Sequence, residues 1–364
     1  MNLFDLDTPC LVVDLDRVET NISEMAARAQ RAGVRLRPHT KTHKMIEIAR
    51  MQVAAGAQGI TCAKLGEAEV WVENGFNDIL IAYPIVGAAK LARLAALRER
   101  ARIITSLDSP EVARGLGELG TRSGHPMEIY VEVDTGHHRM GRSAGAPTVE
   151  LVRELAGIDG LEILGLLSHA GHAYGAIDLA DRERVIDREI DDLVMTRQLL
   201  AELGLELGEI SVGSTPTARM EMTHPGVTEV RPGTYVFNDT AMMHLGVATA
   251  ETCAAHILAT VVGRPTRERF VIDAGTKCFT SDGMGRPGWI QVVGRPDLTM
   301  DFITEEHGVG HLDPDFGDHL SIGDKLLLIP PHACPVVNLF DWAYGHREGR
   351  VTEELRVASR GMVR

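Results

Sequence analysis

Apolar positions in the first two-thirds of the chain follow two periods in turn. Short runs dense in Val, Ile and Leu read as strands: VRLRP (34–38), GITCA (59–63), DILIAYP (78–84), RIITSL (102–107), MEIYVEVD (127–134), LEILGLLSHA (161–170), EISVGS (209–214) and TEVRPG (228–233). Between them lie stretches such as HKMIEIARMQVAAG, LGEAEVWVENG and DREIDDLVMTRQLLAELG, whose apolar residues recur at spacings of three and four, the helical period. Gly56, Gly75 and Gly204 close such stretches and predict helix stops. Strands alternating with helices in this number predict an α/β chain folded as a (β/α)8 barrel, with a doubly wound open sheet as the alternative. After about residue 245 the pattern changes. HILATVVGR, RFVIDAG, WIQVVG, KLLLIP and EELRVASRG read as strands with no long helix between them. The expectation is a barrel over 1–244, whose first residues can pair with the β domain, and an all-β domain over 245–364. RPTRER and SDGMGRPG read as turns of that second domain, and EEHGVGHLDPDFGDH (305–319) as a polar loop.

Composition narrows the function class. The chain has 364 residues, a formal net charge of −14, 44% hydrophobic residues and 24% charged ones, so a large core is within reach and a basic field for nucleic acid is not. Cys10, Cys62, Cys253, Cys278 and Cys334 are odd in number and widely spaced, a poor disulfide framework that suits a reducing compartment. MNLFDLDTP has neither a basic start nor an apolar run, and no apolar stretch approaches the ~20 residues of a membrane span. A soluble cytoplasmic protein without nucleic-acid or membrane partners is expected.

Against that acidic background, RLRPHTKTHK (35–44) gathers Arg37, His39, Lys41, His43 and Lys44 where the first barrel strand ends. Barrel chemistry sits at the C-terminal ends of strands. In an extended segment His39, Lys41 and His43 share one face, and a lysine beside other cations, partly desolvated, becomes usable as an amine nucleophile. A solvated basic loop is the plainer reading. DTGHHRMGR (134–142) adds Arg139 and two histidines after the fifth strand, and HAGHAYG adds His169, His172 and Tyr174 after the sixth. SVGSTPT and RPGTY place small hydroxyl residues and glycines after the last two, where barrels bind phosphate. Each piece alone reads as a turn. Together a lysine, an arginine, a tyrosine and an anion cradle are the parts that hold pyridoxal phosphate. Near the far end, PPHACPVVN (330–338) carries His332 and Cys334 two apart, a spacing that on a strand aims imidazole and sulfur the same way. Two such ligands cannot close a structural zinc site and suit an open, catalytic one. A buried cysteine beside a surface histidine is the plain alternative. The flanking prolines point to a stiff, irregular backbone.

LDTPCLVVDLDRVETNI, RPHTKTHK, GITCAKLGEAEV and the closing H-x-C region resemble the fold-type III pyridoxal-phosphate enzymes related to D-serine dehydratase and D-threonine aldolase, nearly end to end. The resemblance implies an alanine-racemase-like barrel with a C-terminal β domain, working as a homodimer on a small D-3-hydroxy amino acid. It implies that Lys41 carries the cofactor covalently and exchanges a proton at the substrate Cα. Arg139 would face the ring hydroxyl and Tyr174 the pyridine nitrogen. Ser214, Thr215, Gly233 and Thr234 would hold the phosphate, and His332 and Cys334 a divalent metal, zinc first, with manganese or magnesium as alternatives. A metal beside the β-hydroxyl serves either elimination of water, giving a 2-oxo acid and ammonia, or retro-aldol cleavage, giving glycine and an aldehyde. His-x-Cys is similar to the dehydratases, where the aldolases carry His-x-Asp. The aldolase histidine that acts on the β-hydroxyl matches Ala170 here, leaving His169 or His172 to stand in. A D-serine or D-3-hydroxy-amino-acid dehydratase is therefore expected, D-threonine aldolase is the alternative, and an amino-acid racemase or a non-catalytic cofactor carrier follows.

Overall fold

The barrel strands appear where the apolar runs place them. A computed structural model describes residues 1–283, 288–313, 315 and 319–364. Residues 284–287 of the SDGMGRPG turn, and 314 and 316–318 of the expected polar loop, lie outside the described residues. The chain divides into two bodies: Glu24–Lys41, Gln52–Gly233 and Met362–Arg364 form one, and Met1–Ser23, Thr42–Met51 and Thr234–Gly361 the other.

Strand β1 (Cys10–Asp14) belongs to the second body. The first contains β2 (Arg35–Leu36), β3 (Ile60–Cys62), β4 (Asp78–Ile81), β5 (Arg102–Leu107), β6 (Met127–Asp134), β7 (Arg142–Ser143), β8 (Leu161–Leu167), β9 (Glu209–Val212) and β10 (Glu229–Val230). The order is β3-β4-β5-β6-β8-β9-β10-β2, all parallel, with β7 beside the end of β6. The ring closes between β2 and β3: Gln58 N–H donates to Leu36 O (3.0 Å), Thr61 N–H to Pro38 O (2.8 Å) and Thr40 N–H to Thr61 O (2.8 Å). The expected (β/α)8 barrel is therefore the observed one. Ile79, Leu80 and Ile81 are fully buried, as strands covered on both faces require.

The helix Pro110–Ser123 shows how its covering layer is written. Pro110 opens it, Ala113, Leu116, Gly117 and Gly120 turn inward at spacings of three and four, and Gly124 closes it with φ of +70°. A Cβ on Gly120 would lie 2.0 Å from Gly160 O, so that face must stay bare. The expected helix stops Gly56, Gly75 and Gly204 also have positive φ.

Ion pairs occupy the N-terminal ends of the barrel strands. Arg37, 2% exposed, reaches Glu229 at the start of β10 (2.8 Å) and Asp78 at the start of β4 (2.5 Å). Arg35 pairs with Glu209, and Arg102 with Asp78 (3.2 Å) and Glu128 (2.6 Å). That end is sealed by charge, which leaves the opposite ends of the strands for chemistry.

The second body holds β11 (Ala255–Gly263), β12 (Arg269–Ile272), β13 (Gln291–Val292), β14 (Leu298–Ile303), β15 (Gly308–Leu312), β16 (Lys325–Ile329), β17 (Trp342–Arg347) and β18 (Arg350–Arg356). The order β12-β15-β14-β13-β16-β11 closes on itself through β11–β12, and β11 continues into β1, β17 and β18. β1 runs antiparallel to β11 and parallel to β17, and Leu3, Leu6, Cys10, Val12 and Leu258 form a buried cluster.

Three strands here depart from the sequence reading. β14 and β17 were not expected, and the supposed polar loop contains β15. For β15 the reason is packing: a Cβ on Gly310 would come within 2.6 Å of the Phe270 ring, and one on Gly308 within 2.7 Å of Ile272. Glycine is demanded where neighbouring side chains fill the space, and it erases the strand signal. Among the described residues no helix is long and apolar enough to cross a membrane.

Candidate active site

In the barrel body, the segment after β2 turns instead of extending. Thr40 is pinned to β3 by its N–H and its hydroxyl (3.0 Å), both on Thr61 O, and Lys41 N–H folds back on His39 Nδ1 (3.3 Å). His39, Lys41 and His43 therefore do not share a face as a strand would arrange them. His43 is wholly buried, its Nδ1 taking the Met45 N–H (3.1 Å). Lys41 is half-buried at the turn.

Its charge is felt across the barrel mouth. His169, at the end of β8, has its pKa held well below the ordinary value by burial first, then by the Lys41 ammonium and the Arg139 guanidinium. His169 Nδ1 lies 3.1 Å from Gly213 O, an acceptor, so Nδ1 carries the proton and Nε2 keeps a lone pair. His137 stands edge-on to His169 (ring centroids 5.8 Å apart) and stacks on His172 (6.2 Å, 19°). Burial lowers the pKa of both, so this side of the mouth carries three neutral imidazoles. Arg139 is half-exposed, 3.6 Å from the buried Glu132, and shares a hollow with His137, His169 and Thr135.

The neighbouring turns are tight. A Cβ on Gly171 would meet His137 Nε2 at 2.5 Å, which fixes the 3-10 turn Gly171–Gly175 that carries His172 and Tyr174. Gly213 has φ of +127°, and a Cβ there would sit 2.6 Å from Arg231 N. Ser214 follows as N-cap of the helix Thr215–Glu221, its hydroxyl 2.8 Å from that of Thr217. Ser214, Thr215 and Gly233 are all buried.

A polar network lies behind His169. Ser168 donates to Glu189 Oε1 (2.5 Å), meets the Thr135 hydroxyl (2.9 Å), and offers its carbonyl to Arg231 (2.5 Å). Glu221 faces Glu189 in the same fully buried space. Burial pushes both carboxyls upward in pKa, and the Glu189 charge pushes Glu221 further, so the pair keeps a proton.

In the β body, His332 is not on a strand. It is the extended N-cap (φ −151°) of the short helix Ala333–Val337, and Cys334 sits in the first turn. Pro335 is tolerated there because first-turn N–H groups have no helical partner. The two side chains still interact. Burial lowers the pKa of His332, but its hydrogen bond to Cys334 and the charges of Cys334 and Asp239 outweigh that, raising it to about 9. His332 Nδ1 meets Asp282 Oδ2 at 3.0 Å. Asp239, wholly buried, accepts the N–H of Ala333 (2.9 Å) and of Met242 (2.9 Å). The Thr42 hydroxyl lies 3.1 Å from Cys334 Sγ and that of Thr234 3.8 Å. Among the described residues no group of three or more His, Cys, Asp or Glu side chains is gathered to hold a metal, so His332 and Cys334 offer two donors with the remaining positions open.

The barrel body thus carries Lys41, Arg139, His169, His172, Tyr174, Ser214, Thr215 and Gly233, and the β body Thr234, His332 and Cys334. Sequence reasoning passed over His137, Thr42 and Asp239. The first two stand inside motifs that drew notice, DTGHHR and PHTKTHK. Asp239 carries the Asp-Thr signature of a helix cap.

Residues 13–241 match the alanine racemase N-terminal domain and residues 254–346 the serine dehydratase domain. The chain is 34% identical to D-threo-3-hydroxyaspartate dehydratase of Delftia sp. (strain HT23), over 91% of this chain and 92% of that protein. It is also 34% identical to D-threonine aldolase of Arthrobacter sp., over 99% and 94%. The crystal structure of D-threonine aldolase from Filomicrobium marinum superposes with a TM-score of 0.94 at 34% identity, covering 100% of this chain and 98% of that one. With the fold and both domain matches in agreement, the chain belongs to the fold-type III pyridoxal-phosphate enzymes, in the branch that joins an alanine racemase N-terminal domain to a serine dehydratase domain.

Proposed function

We propose that the protein is a pyridoxal-phosphate- and metal-dependent dehydratase of D-serine or a related D-3-hydroxy amino acid, working as a homodimer. The observation that carries the choice is the His332–Cys334 pair, a nitrogen and a sulfur donor steadied by Asp282 and Thr42 and suited to zinc. The candidate residues fit the cofactor in kind: Lys41 for its aldehyde, Arg139 for its ring hydroxyl, Tyr174 beside its ring, and Ser214, Thr215, Gly233 and Thr234 for its phosphate. Bound there, the cofactor supplies an electron sink for a carbanion at the substrate Cα. A metal on His332 and Cys334 supplies Lewis acidity toward the β-hydroxyl.

The chain's own groups do the rest. The Lys41 amine takes the Cα proton. His169, held neutral chiefly by burial, presents the Nε2 lone pair as a hydrogen-bond acceptor for a substrate hydroxyl. The stacked His137 and His172 wall that side without adding charge.

The same lone pair supports a second reading. A neutral imidazole that removes the β-hydroxyl proton promotes cleavage of Cα–Cβ, the step of a D-threonine aldolase. Product analysis with D-threonine, pyridoxal phosphate and zinc separates the two. 2-Oxobutanoate with ammonia supports the dehydratase. Glycine with acetaldehyde overturns it in favour of the aldolase.

A further inference from the structure

We propose that Thr42 is a positioning residue for the metal, donating its hydroxyl hydrogen to Cys334 Sγ and fixing the direction from which that sulfur binds. This rests on the reading of His332 and Cys334 as metal ligands.

Thr42 is wholly buried, and a buried hydroxyl needs a partner inside the protein. Its oxygen lies 3.1 Å from Cys334 Sγ. With a thiol, either group could donate. With a metal-bound thiolate the sulfur has no proton, so the hydroxyl must be the donor. The Thr234 hydroxyl, at 3.8 Å, is a weaker second donor to the same sulfur.

The backbone under the sulfur is held as well. Asp239 takes the N–H of Ala333, the residue between the two ligands, while Thr240 and Ala241 donate to the carbonyls of Pro330 (3.1 Å) and Pro331 (3.3 Å). On the other ligand, the bond from Nδ1 to Asp282 leaves His332 Nε2 for the metal. The contact from Thr42, beside the hydrogen bond with His332, constrains the χ1 torsion of Cys334. With two protein donors among the described residues, the site depends strongly on their fixed directions. Donation to the sulfur also lowers its charge, which raises the energy of a sulfur-to-metal charge-transfer transition.

The test uses the full-length, cofactor-loaded protein stripped of metal. Cobalt(II) is titrated in, the sulfur-to-cobalt band is followed in the near ultraviolet, and zinc affinity is measured by competition with a chromophoric chelator. Thr42→Val keeps the shape and removes the donor. It should weaken zinc binding about 10- to 100-fold, as loss of an outer-shell partner does, and move the cobalt band to lower energy. Thr42→Ser should restore both. If the valine variant does not fold, wild type and the serine variant are compared with Thr42→Ala by the same band. An unchanged zinc constant and an unmoved band in the variant lacking the hydroxyl overturn the proposal. A wild-type protein that shows no sulfur-to-cobalt band, or one that persists in Cys334→Ala, overturns the metal reading and this proposal with it.

Discussion

Acid should cost this protein about 2 kcal/mol through one imidazole. His256 lies on β11 opposite Val12 of β1, is 1% exposed, and among the described residues neither ring nitrogen has a hydrogen-bond partner. Its pKa is pushed from 6.5 down to about 3, by burial first and then by the nearby charge of Arg17 and by His346. Between those values the unfolded chain binds a proton that the native protein refuses. The stability is therefore complete above 6.5 and is lost as the pH falls through it. At pH 5 the unfolded chain is favoured by 1.5 units of protonation at about 1.4 kcal/mol each, roughly 2 kcal/mol. At pH 7.5 the same term is close to zero. The figure at pH 5 is insensitive to the folded pKa, since any value below about 4 leaves the native imidazole neutral there. Urea unfolding at pH 7.5 and pH 5.0, on wild type and on His256→Phe, isolates the term, because the other titrating groups are common to both proteins. Wild type should lose about 2 kcal/mol more than the variant between the two conditions. Equal losses, within about 0.5 kcal/mol, would refute the argument from burial.

Other substitutions test other parts of the molecule. Arg37→Met leaves Glu229, wholly buried, with the Ser211 hydroxyl (2.6 Å) and Arg35 at 3.9 Å; it should cost about 3–5 kcal/mol in urea unfolding, and a loss under about 1 kcal/mol removes Arg37 from sealing the barrel. Glu221→Gln concerns a carboxyl whose native pKa is raised, so the native state holds a proton that the unfolded chain releases above 4.5, and wild-type stability falls as pH rises from there. The glutamine variant should lack that decline and be the more stable protein at pH 8; parallel pH curves would sink the idea of a shared proton. Lys41→Ala should remove the visible-range absorbance of the lysine-linked cofactor, and a spectrum identical to wild type takes Lys41 out of the reaction.

The barrel was legible because its strands are buried on both faces. RIITSL and MEIYVEVD coincide with β5 and β6 to the residue, and short runs rich in branched apolar residues fit a strand covered on both sides better than a helix. The β body was legible only in part. β14 buries residues in the irregular pattern of LTMDFI, with a register shift between Met300 and Phe302 that breaks the two-residue alternation. β15 spends two of its five positions on glycine, forced by Phe270 and Ile272 from neighbouring positions. In each case the missing signal belongs to a partner strand, and a window on one strand does not contain it.

The site divides along the same line. Lysine, arginine, histidine and cysteine announce themselves by type, and their placement after strands gives each a role to be tested. What tunes them does not announce itself. The H-x-C spacing led to two side chains that do interact, yet through a helix N-cap and not a strand, so an interacting pair came from the wrong local geometry. Thr42, whose hydroxyl meets the Cys334 sulfur, is 292 residues away in the chain, and nothing in either neighbourhood encodes that approach. His169 is neutral chiefly because of burial, with two cations reaching it from other loops, and its tautomer is set by the carbonyl of Gly213, 44 residues on. Whether a β-hydroxyl leaves or gives up its proton depends on such settings, on how acidic the metal is and how basic the imidazole, more than on which residue types are present. Dehydratases and aldolases therefore share most of a motif, and the difference between them is to be sought in the neighbours of the sulfur and the imidazole.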